Sequence, residues 1–276
     1  MARRNTYRTL WLLLWVVAIA TSAPVLGWSQ IYVEGALTQR IELEPGASHS
    51  GFLTVRNAGD QPEDVRLVQY DYRRTQEGER FYTDPGSIDR SNNEWISISP
   101  RRFTIPPGEN HTISYVVTVP LDESLTGTYW SVLMIEPVPA ESPESPEFDP
   151  SETSVGITTL IRYAVVFITS IGDTGTIEPQ IIGASLREEE GARIFAVDVD
   201  NTGTRVLDIT AWIELFDEDG ASIGRWEGTE GTVLPLSSRR YPVTLTDVPH
   251  GSFTALVVLD CGDNNVFGVS LPLTIE

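Results

Sequence analysis

The chain has little of the chemistry that enzymes and metalloproteins need. Its 276 residues include one cysteine, three histidines and no lysine, so that all 19 basic residues are arginines. Cys261 has no partner for an intramolecular disulfide, and it has no metal-ligand spacing to His49, His111 or His250. There is no nucleophile elbow, phosphate-binding loop or dinucleotide fingerprint. We therefore expect a protein that is not an enzyme and that binds no metal and no cofactor.

Positive charge is also scarce. The chain has 39 acidic residues against 19 basic ones, which gives a formal net charge of −20 at pH 7. Such a charge disfavours nucleic acid and anionic lipid as partners. Asp198, Asp200, Asp217 and Asp219 could bring oxygen ligands for calcium to one end of a domain. Because no calcium-loop spacing is present, surface hairpin positions are the favoured interpretation of these acids.

Long hydrophobic runs are absent except near the start of the chain. Arg3, Arg4 and Arg8 precede an apolar stretch at Leu10–Ala20, which is too short to span a bilayer comfortably. This pattern predicts a cleaved signal peptide over residues 1–29, with an uncleaved membrane anchor as the alternative. The mature form is then not membrane-spanning, and we expect it in the periplasm, outside the cell or on the cell surface.

The sequence contains the same pattern twice. Leu53–Val65 and Val197–Ile209 share an apolar strand, an Asn-x-Gly turn and an Asp that opens the next strand. Later, the stretch that starts at Gly127 aligns without a gap with the stretch that starts at Gly251. The repeat distance of roughly 120 to 145 residues is too long for a solenoid, and it predicts a duplicated domain.

The remaining pattern is all-β. Short apolar alternations are broken by Gly, Pro, Asn and Asp, with no sustained helical period. We expect two tandem immunoglobulin-like β-sandwich domains, at residues 30–172 and 173–276. The polar segment Arg73–Asn93 is expected to be a loop or irregular hairpin. The acidic segment Pro137–Ser154 is expected to be a mobile loop within the first domain, followed by a long strand at Ile157–Ile171.

Three segments of the first half resemble a known family. They are Ile98–Thr118, Pro120–Leu125 and Tyr129–Pro137. The first contains a Pro-Gly turn, the second is an acidic turn, and the third is an aromatic strand that ends at proline. In order and spacing they resemble the N-terminal domain of periplasmic pilus chaperones of the chaperone/usher pathway, over residues 31–171. The two-domain layout more weakly resembles Gram-positive surface proteins that have a peptidoglycan-binding immunoglobulin-like domain.

The chaperone resemblance implies a mode of partner binding. In that family the last strand of the first domain adds alternating apolar side chains to an incomplete protein subunit. The corresponding side chains here would be Ile161, Tyr163, Val165 and Phe167. The alternative is a central strand that is buried on both faces, because such strands are also continuously apolar.

The resemblance further implies a site for the carboxylate at the subunit's C-terminus. Two cationic side chains in the interdomain cleft would bind it, and Arg162 and Arg40 lie near the matching positions, Arg40 with a shift of one residue. The alternative for Arg162 is an ion pair with an acidic neighbour. The implied function is a chaperone that assists assembly of pilin-like subunits, and the rival is a binding or structural module that recognises a cell-surface component.

Overall fold

The computed structural model describes residues 31–139 and 160–276, and in these residues it contains strands and one short 3-10 helix but no α-helix. The all-β class and the pair of tandem sandwiches predicted from the sequence are confirmed. The expected signal peptide and most of the Pro137–Ser154 loop lie outside the described residues. Among the residues that are described, no helix has the length and apolar character needed to cross a membrane.

The first domain packs two sheets against each other. Its elements are β1 (Ile31–Glu34), β2 (Thr38–Leu43), β3 (Ser48–Asn57), β4 (Glu63–Arg74), β5 (Arg80–Thr83), a 3-10 helix (Asn93–Trp95), β6 (Ile96–Ser99), β7 (Arg102–Ile105), β8 (Asn110–Thr118), β9 (Gly127–Pro137) and β10 (Tyr163–Ile171). One sheet has the order β1-β3-β8-β6, and the other has the order β2-β10-β9-β4-β5, with β7 also paired to β4. Alternate apolar residues of both sheets, including Val55, Ile113, Ile135 and Phe167, form one core between them.

The second domain has the same layered plan. Its elements are β11 (Pro179–Glu189), β12 (Ala192–Asn201), β13 (Leu207–Phe216), β14 (Ser222–Val233), β15 (Ser238–Leu245), β16 (Gly251–Asp260) and β17 (Val266–Ile275). The strands form one hydrogen-bonded sheet in the order β11-β12-β15-β14-β13-β16-β17, which folds over so that β11, β12 and β15 form one layer and the other four strands form the second. A single residue pair, Gly228 with Val243, connects the layers, and the core between them includes Val199, Ile213, Tyr241 and Val257.

The repeated sequence pattern has the same geometry in both domains. Asn57 donates hydrogen bonds to the carbonyls of Gln61 and Ile105, and its own side-chain oxygen accepts from the amide of Gly59. Asn201 donates to the carbonyls of Arg205 and Val233 and accepts from the amide of Gly203. Each asparagine therefore connects its turn to a strand of the opposite layer, which explains why the pattern needs an amide at this position.

The structure defines two segments more closely than the sequence did. Of the two alternatives for the polar stretch Arg73–Asn93, a loop or an irregular hairpin, the structure has a hairpin, in which the regular strand β5 pairs with the end of β4. The long strand predicted at Ile157–Ile171 begins only at Tyr163, because residues 160–162 are not paired as a strand, and residues 157–159 lie outside the described residues. Apolar composition alone does not show where strand pairing begins.

The two domains also differ in how their first strand runs. In the first domain the chain leaves β1 at Gly35 and crosses to the opposite sheet, where β2 pairs in parallel with the last strand, β10. In the second domain β11 stays paired with β12 along its whole length and does not cross to β17. The last strand is therefore covered by a parallel neighbour in the first domain only.

Candidate functional site

The candidate site begins at the uncovered part of β10. β9 pairs with β10 from Tyr163 to Ile171, whereas β2 pairs with it only from Val166 onward. On the β2 side, residues 163–165 are therefore not paired with any strand that the structure describes. Exposed strand edges of this kind accept an additional strand.

The backbone direction shows which groups are free on this edge. The amide of Val166 donates to the carbonyl of Leu37 at 2.8 Å, so the backbone groups of Val166 point toward β2. Because successive residues of a strand point in opposite directions, the amide and carbonyl of Ala164 point to the same side. Ala164 lies before the point at which β2 begins to pair with β10, so its amide and carbonyl face no strand that the structure describes and can pair with an incoming strand.

The four apolar residues predicted as partner contacts lie on one face of this segment, and their exposure increases toward the uncovered end. Val165 and Phe167 are 0% and 1% exposed and belong to the core of the first domain. Tyr163 is half-buried at the edge of that core, and Ile161 is 45% exposed. Only Ile161 and Tyr163 are therefore accessible to a partner, whereas Val165 and Phe167 anchor the strand in its own sandwich.

Arg162 has an acidic partner on the neighbouring strand. Its guanidinium lies 3.1 Å from Glu136, whose side chain is only 6% exposed and also accepts a hydrogen bond from Arg66 at 2.9 Å. Arg162 itself is 63% exposed. The ion-pair alternative for Arg162 is thus the arrangement in the structure, and the arginine covers a buried carboxylate at the outer end of β9.

Arg40 connects the two domains. Its guanidinium binds both carboxylate oxygens of Asp208, at 2.9 and 2.7 Å, and donates to the hydroxyl of Thr232 at 2.9 Å. Arg40 and Asp208 are both largely exposed, so screening by water keeps the contribution of this pair to stability small. The bidentate contact nevertheless links β2 directly to β13 of the second domain.

Arg40 and Arg162 are not brought together. Arg40 lies beside Ile168 in the β2–β10 register, six residues beyond Arg162 and therefore about 20 Å from it along the strand. The two guanidinium groups cannot bind one carboxylate jointly at this separation. A shared site for these two arginines, implied by the family resemblance, is therefore not formed in this structure.

The interdomain cleft instead contains two other arginines. A cavity of about 250 Å³ lies between the domains, and it is lined by Val166 and Ile168 of β10, Arg74 at the end of β4, and Ser237 and Arg239 beside β15. The Arg74 Nε and the Ser237 hydroxyl are buried, and neither has a hydrogen-bond partner in the described part of the chain. Two unused donors and a second guanidinium make this cavity suited to an anion.

The cleft arginines could not be found from the sequence. Arg74 belongs to a segment predicted to be a loop or irregular hairpin, and Arg239 lies near the start of β15, 165 residues later in the chain. They meet because the β4–β5 hairpin contacts the second domain, where the Ser238 hydroxyl donates to Gln76 at 2.8 Å. No spacing rule connects positions that only interdomain packing brings together.

Apolar side chains join the domains beside this cavity. Trp130 is 0% exposed and packs with Ile88 and Ile168 of the first domain and with Leu234 of the second. The Trp130 indole N–H donates to the carbonyl of Tyr72 at 2.6 Å. This cluster packs the outer face of β10 and β9 directly against the second domain, and two of its members, Ile168 and Leu234, also line the cavity.

The backbones of the two domains meet at the Asn-x-Gly turn of the second domain. The amide of Thr128 donates to the carbonyl of Thr204 at 2.8 Å, and the amides of Thr204 and Arg205 both donate to the carbonyl of Thr176 at 3.1 Å. Gly127 has a φ of +73°, and a Cβ at this position would overlap the Thr204 carbonyl oxygen. The junction therefore requires glycine, and its direct backbone contacts favour a fixed angle between the domains.

The other reactive groups in the described part of the chain do not form a site. Burial raises the pKa of the Cys261 thiol to about 11, so that the thiol remains protonated and weakly nucleophilic at neutral pH. Within residues 31–139 and 160–276, no group of three or more His, Cys, Asp or Glu side chains is placed to hold a metal ion.

Comparison with known proteins yields similarity in structure only. No family profile and no curated protein matches the sequence. The structure is similar to a chaperone–tip adhesin complex of CFA/I fimbriae, with a TM-score of 0.47, 12% identity and coverage of 88% of this chain and 98% of that one. It is similar to the class 5 fimbriae chaperone CfaA, with a TM-score of 0.45, 12% identity and coverage of 89% and 100%.

A third similar structure is the CsuC–CsuE chaperone–tip subunit complex of the Acinetobacter baumannii Csu pili, with a TM-score of 0.42, 12% identity and coverage of 88% and 98%. The chain resembles periplasmic pilus chaperones in structure. At this identity the resemblance concerns the fold alone, and the function has to be argued from the site.

Proposed function

We propose that this protein is a non-enzymatic periplasmic chaperone that holds pilin-like subunits during assembly by β-strand addition. The observation that carries the proposal is the uncovered edge of β10, where β2 begins to pair only at Val166 and no described strand pairs with Ala164 on that side. A subunit strand would pair with this edge as a continuation of β2. Ile161 and Tyr163 would contribute apolar contacts at the opening of the first sandwich.

The anchored half of β10 supports this role. Val165 and Phe167 are buried in the core, and β2 and β9 both pair with the strand from Val166 onward. The segment that binds a partner is therefore the continuation of a rigid strand. Such pre-organisation reduces the conformational entropy lost on binding.

The fixed interdomain cleft adds a second proposed contact. Arg74, Arg239 and the Ser237 hydroxyl surround a cavity whose remaining wall, with Val166 and Ile168, is apolar. A C-terminal residue offers the matching combination of a carboxylate and an apolar side chain. We assign carboxylate capture to these cleft residues, because Arg40 is bound by Asp208 and Arg162 by Glu136.

Replacing Ala164 by proline tests strand addition. Proline removes the free amide without affecting the pairing with β9, and edge strands tolerate proline at such positions, so the unfolding free energy should change by less than about 1 kcal/mol. Co-expression with candidate pilin-like subunits should give a soluble complex with the wild-type chain, which the proline variant loses. Ala164→Ser keeps the amide and should keep the complex. A complex that survives Ala164→Pro, or none with any such subunit, would contradict the proposal.

The cleft contact has its own test. Arg74→Met removes one guanidinium from the cavity, and loss of a charge-assisted hydrogen bond should weaken subunit binding about tenfold or more. Arg73→Met changes the exposed neighbouring arginine and should have little effect. Extending the subunit's C-terminus by two glycines should weaken wild-type binding equally and should not weaken binding to Arg74→Met further. Titration calorimetry measures the binding free energies. If the losses caused by the C-terminal extension and by Arg74→Met add, the subunit's carboxylate does not bind at Arg74.

A further inference from the structure

The last strand of the second domain has a long uncovered edge. β17 pairs with β16 on one side, and on the other side no strand of the described chain pairs with it. The strand runs for ten residues and contains no charged side chain. Natural proteins usually protect such edges with charges or by shortening them, so an uncharged edge of this length is unusual.

The backbone groups on this edge can be assigned. The amide of Cys261 donates to the carbonyl of Asn265, and Pro272, which has no amide hydrogen, pairs with Thr254. In the alternating pattern of an antiparallel pair, the backbone groups of Val266, Gly268, Ser270 and Thr274 therefore point away from β16. They offer four amide donors to a further strand, and Pro272 interrupts the row at one position.

An apolar groove follows the same edge. It has a volume of about 500 Å³ and lies between β17 and β11, the first strand of the opposite layer. Ile181, Leu186, Val269 and Leu271 line it and are only partly covered by the core. Ile182 is 46% exposed at its rim. The inward side chains of an added strand would complete the cover of these residues.

The first domain shows which element fits this position. There β2 runs parallel to the last strand, β10, and its residues Ile41 and Leu43 contribute to the core. In the second domain the corresponding place beside β17 is not taken by β11, which pairs only with β12. The duplicated fold thus predicts the direction and pattern of the missing strand, which runs parallel to β17 with alternate apolar residues facing inward.

Charge indicates the chemistry of the flanking residues. Glu178 and Asp263 are exposed near one end of the groove, and Glu188 and Glu190 are exposed near the other. Of the arginines at that second end, Arg187 is paired with Glu189, and Arg193 is half-buried and donates to the carbonyl of Val248. The net charge of −20 adds a general attraction for basic segments. A strand with arginine or lysine at both ends matches this distribution.

We infer that the β11–β17 groove is a second strand-addition site, which binds an extended segment of a partner protein with alternating apolar residues and basic ends, parallel to β17. The site lies in the other domain from the uncovered edge of β10. Its test is therefore independent of the proposed subunit chaperone function, and neither result decides the other.

Amide hydrogen exchange of the full chain, followed by NMR, tests the inference. The probe is the capped peptide Arg-Arg-Val-Thr-Ile-Thr-Val-Thr-Arg-Arg, and its control has the same residues with the alternation scrambled. The probe should slow exchange at Gly268 and Thr274 by about tenfold or more, and the scrambled peptide should not. No slowing, or equal slowing by both peptides, would overturn the inference. If these amides are already protected from exchange without peptide, and the protection falls when the protein is diluted, the edge pairs with a second copy of the chain. That result would also overturn the inference.

Two sets of variants sharpen the result. Ser270→Pro removes an outward amide that no described strand uses and should abolish protection of Gly268, whereas Ser270→Ala should retain it. Ile182→Arg adds a charge at the exposed rim that repels the probe, and Ile182→Glu adds one that attracts it. Binding should therefore weaken in the first and persist or strengthen in the second. The Ile182 pair leaves the strand intact, so it remains decisive should Ser270→Pro fail to fold, and equal affinity of the two would contradict the inference.

Discussion

Replacing Gly127 by alanine should destabilise the first domain by about 3 kcal/mol and loosen its junction with the second. Two physical effects add. Gly127 has a φ of +73°, where a side chain costs about 1 kcal/mol, and a Cβ would overlap the Thr204 carbonyl oxygen, which is backbone and cannot rotate away. That carbonyl accepts the hydrogen bond from Thr128, so any shift also weakens the contact between the domains.

The duplicated sequence provides a matched control at Gly251. This glycine begins β16 as Gly127 begins β9, and its φ is +155°. A Cβ there would meet only the Phe253 ring, at 3.4 Å, so Gly251→Ala introduces backbone strain of about 1 to 3 kcal/mol but no clash across the domain junction. It should therefore destabilise the second domain without loosening the junction. Urea unfolding should be followed separately through Trp130 and through Trp212 and Trp226, because two domains need not unfold together. Equal loosening of the junction in both variants would show that the Thr204 contact does not matter.

Removing either repeated asparagine should cost about 3 kcal/mol in the domain that contains it. Asn57 and Asn201 are 0% and 1% exposed, and each alanine variant leaves two carbonyls without a donor and one amide without an acceptor. Unpaired buried groups cost roughly 1 kcal/mol or more each. The exposed Asn110 provides a control whose alanine variant should change stability by less than about 0.5 kcal/mol.

The two asparagine variants should differ in one respect. The turn of Asn201 contains Gly203 and Thr204, which contact the linker and the first domain, so Asn201→Ala should also increase interdomain motion. Small-angle scattering should show a wider distribution of domain orientations for this variant than for Asn57→Ala. If the scattering of Asn57→Ala and Asn201→Ala cannot be distinguished, the turn of Asn201 does not hold the two domains at a fixed angle.

Local patterns were sufficient for the predictions about fold class. The Asn-x-Gly turn, the alternation of apolar residues and the glycine that begins β9 and β16 all act through neighbours in the same strand or turn. For this reason the all-β class and the two sandwiches followed from the sequence. The same reasoning placed Ile161, Tyr163, Val165 and Phe167 on one face but could not show which of them the core covers.

Charge pairing was less accessible to sequence reasoning. Arg162 and Arg40 were chosen by position, but the structure pairs one with Glu136 and the other with Asp208, on strands far away in the chain. Arg74 and Arg239 gave no signal in the sequence, and they meet in the cleft. An arginine has a long, flexible side chain, so its partner depends on the packing of several strands.

The sequence by itself determined that the chain is a duplicated all-β protein, because strand alternation and turn chemistry are local. Only the tertiary structure decided where the free edges are. The crossing of the chain at Gly35 covers most of β10 in the first domain and leaves its beginning open, whereas β11 stays with β12 and leaves β17 open. Which strand covers an edge depends on the path of the chain between sheets, and the periodicity of one strand contains no information about that path.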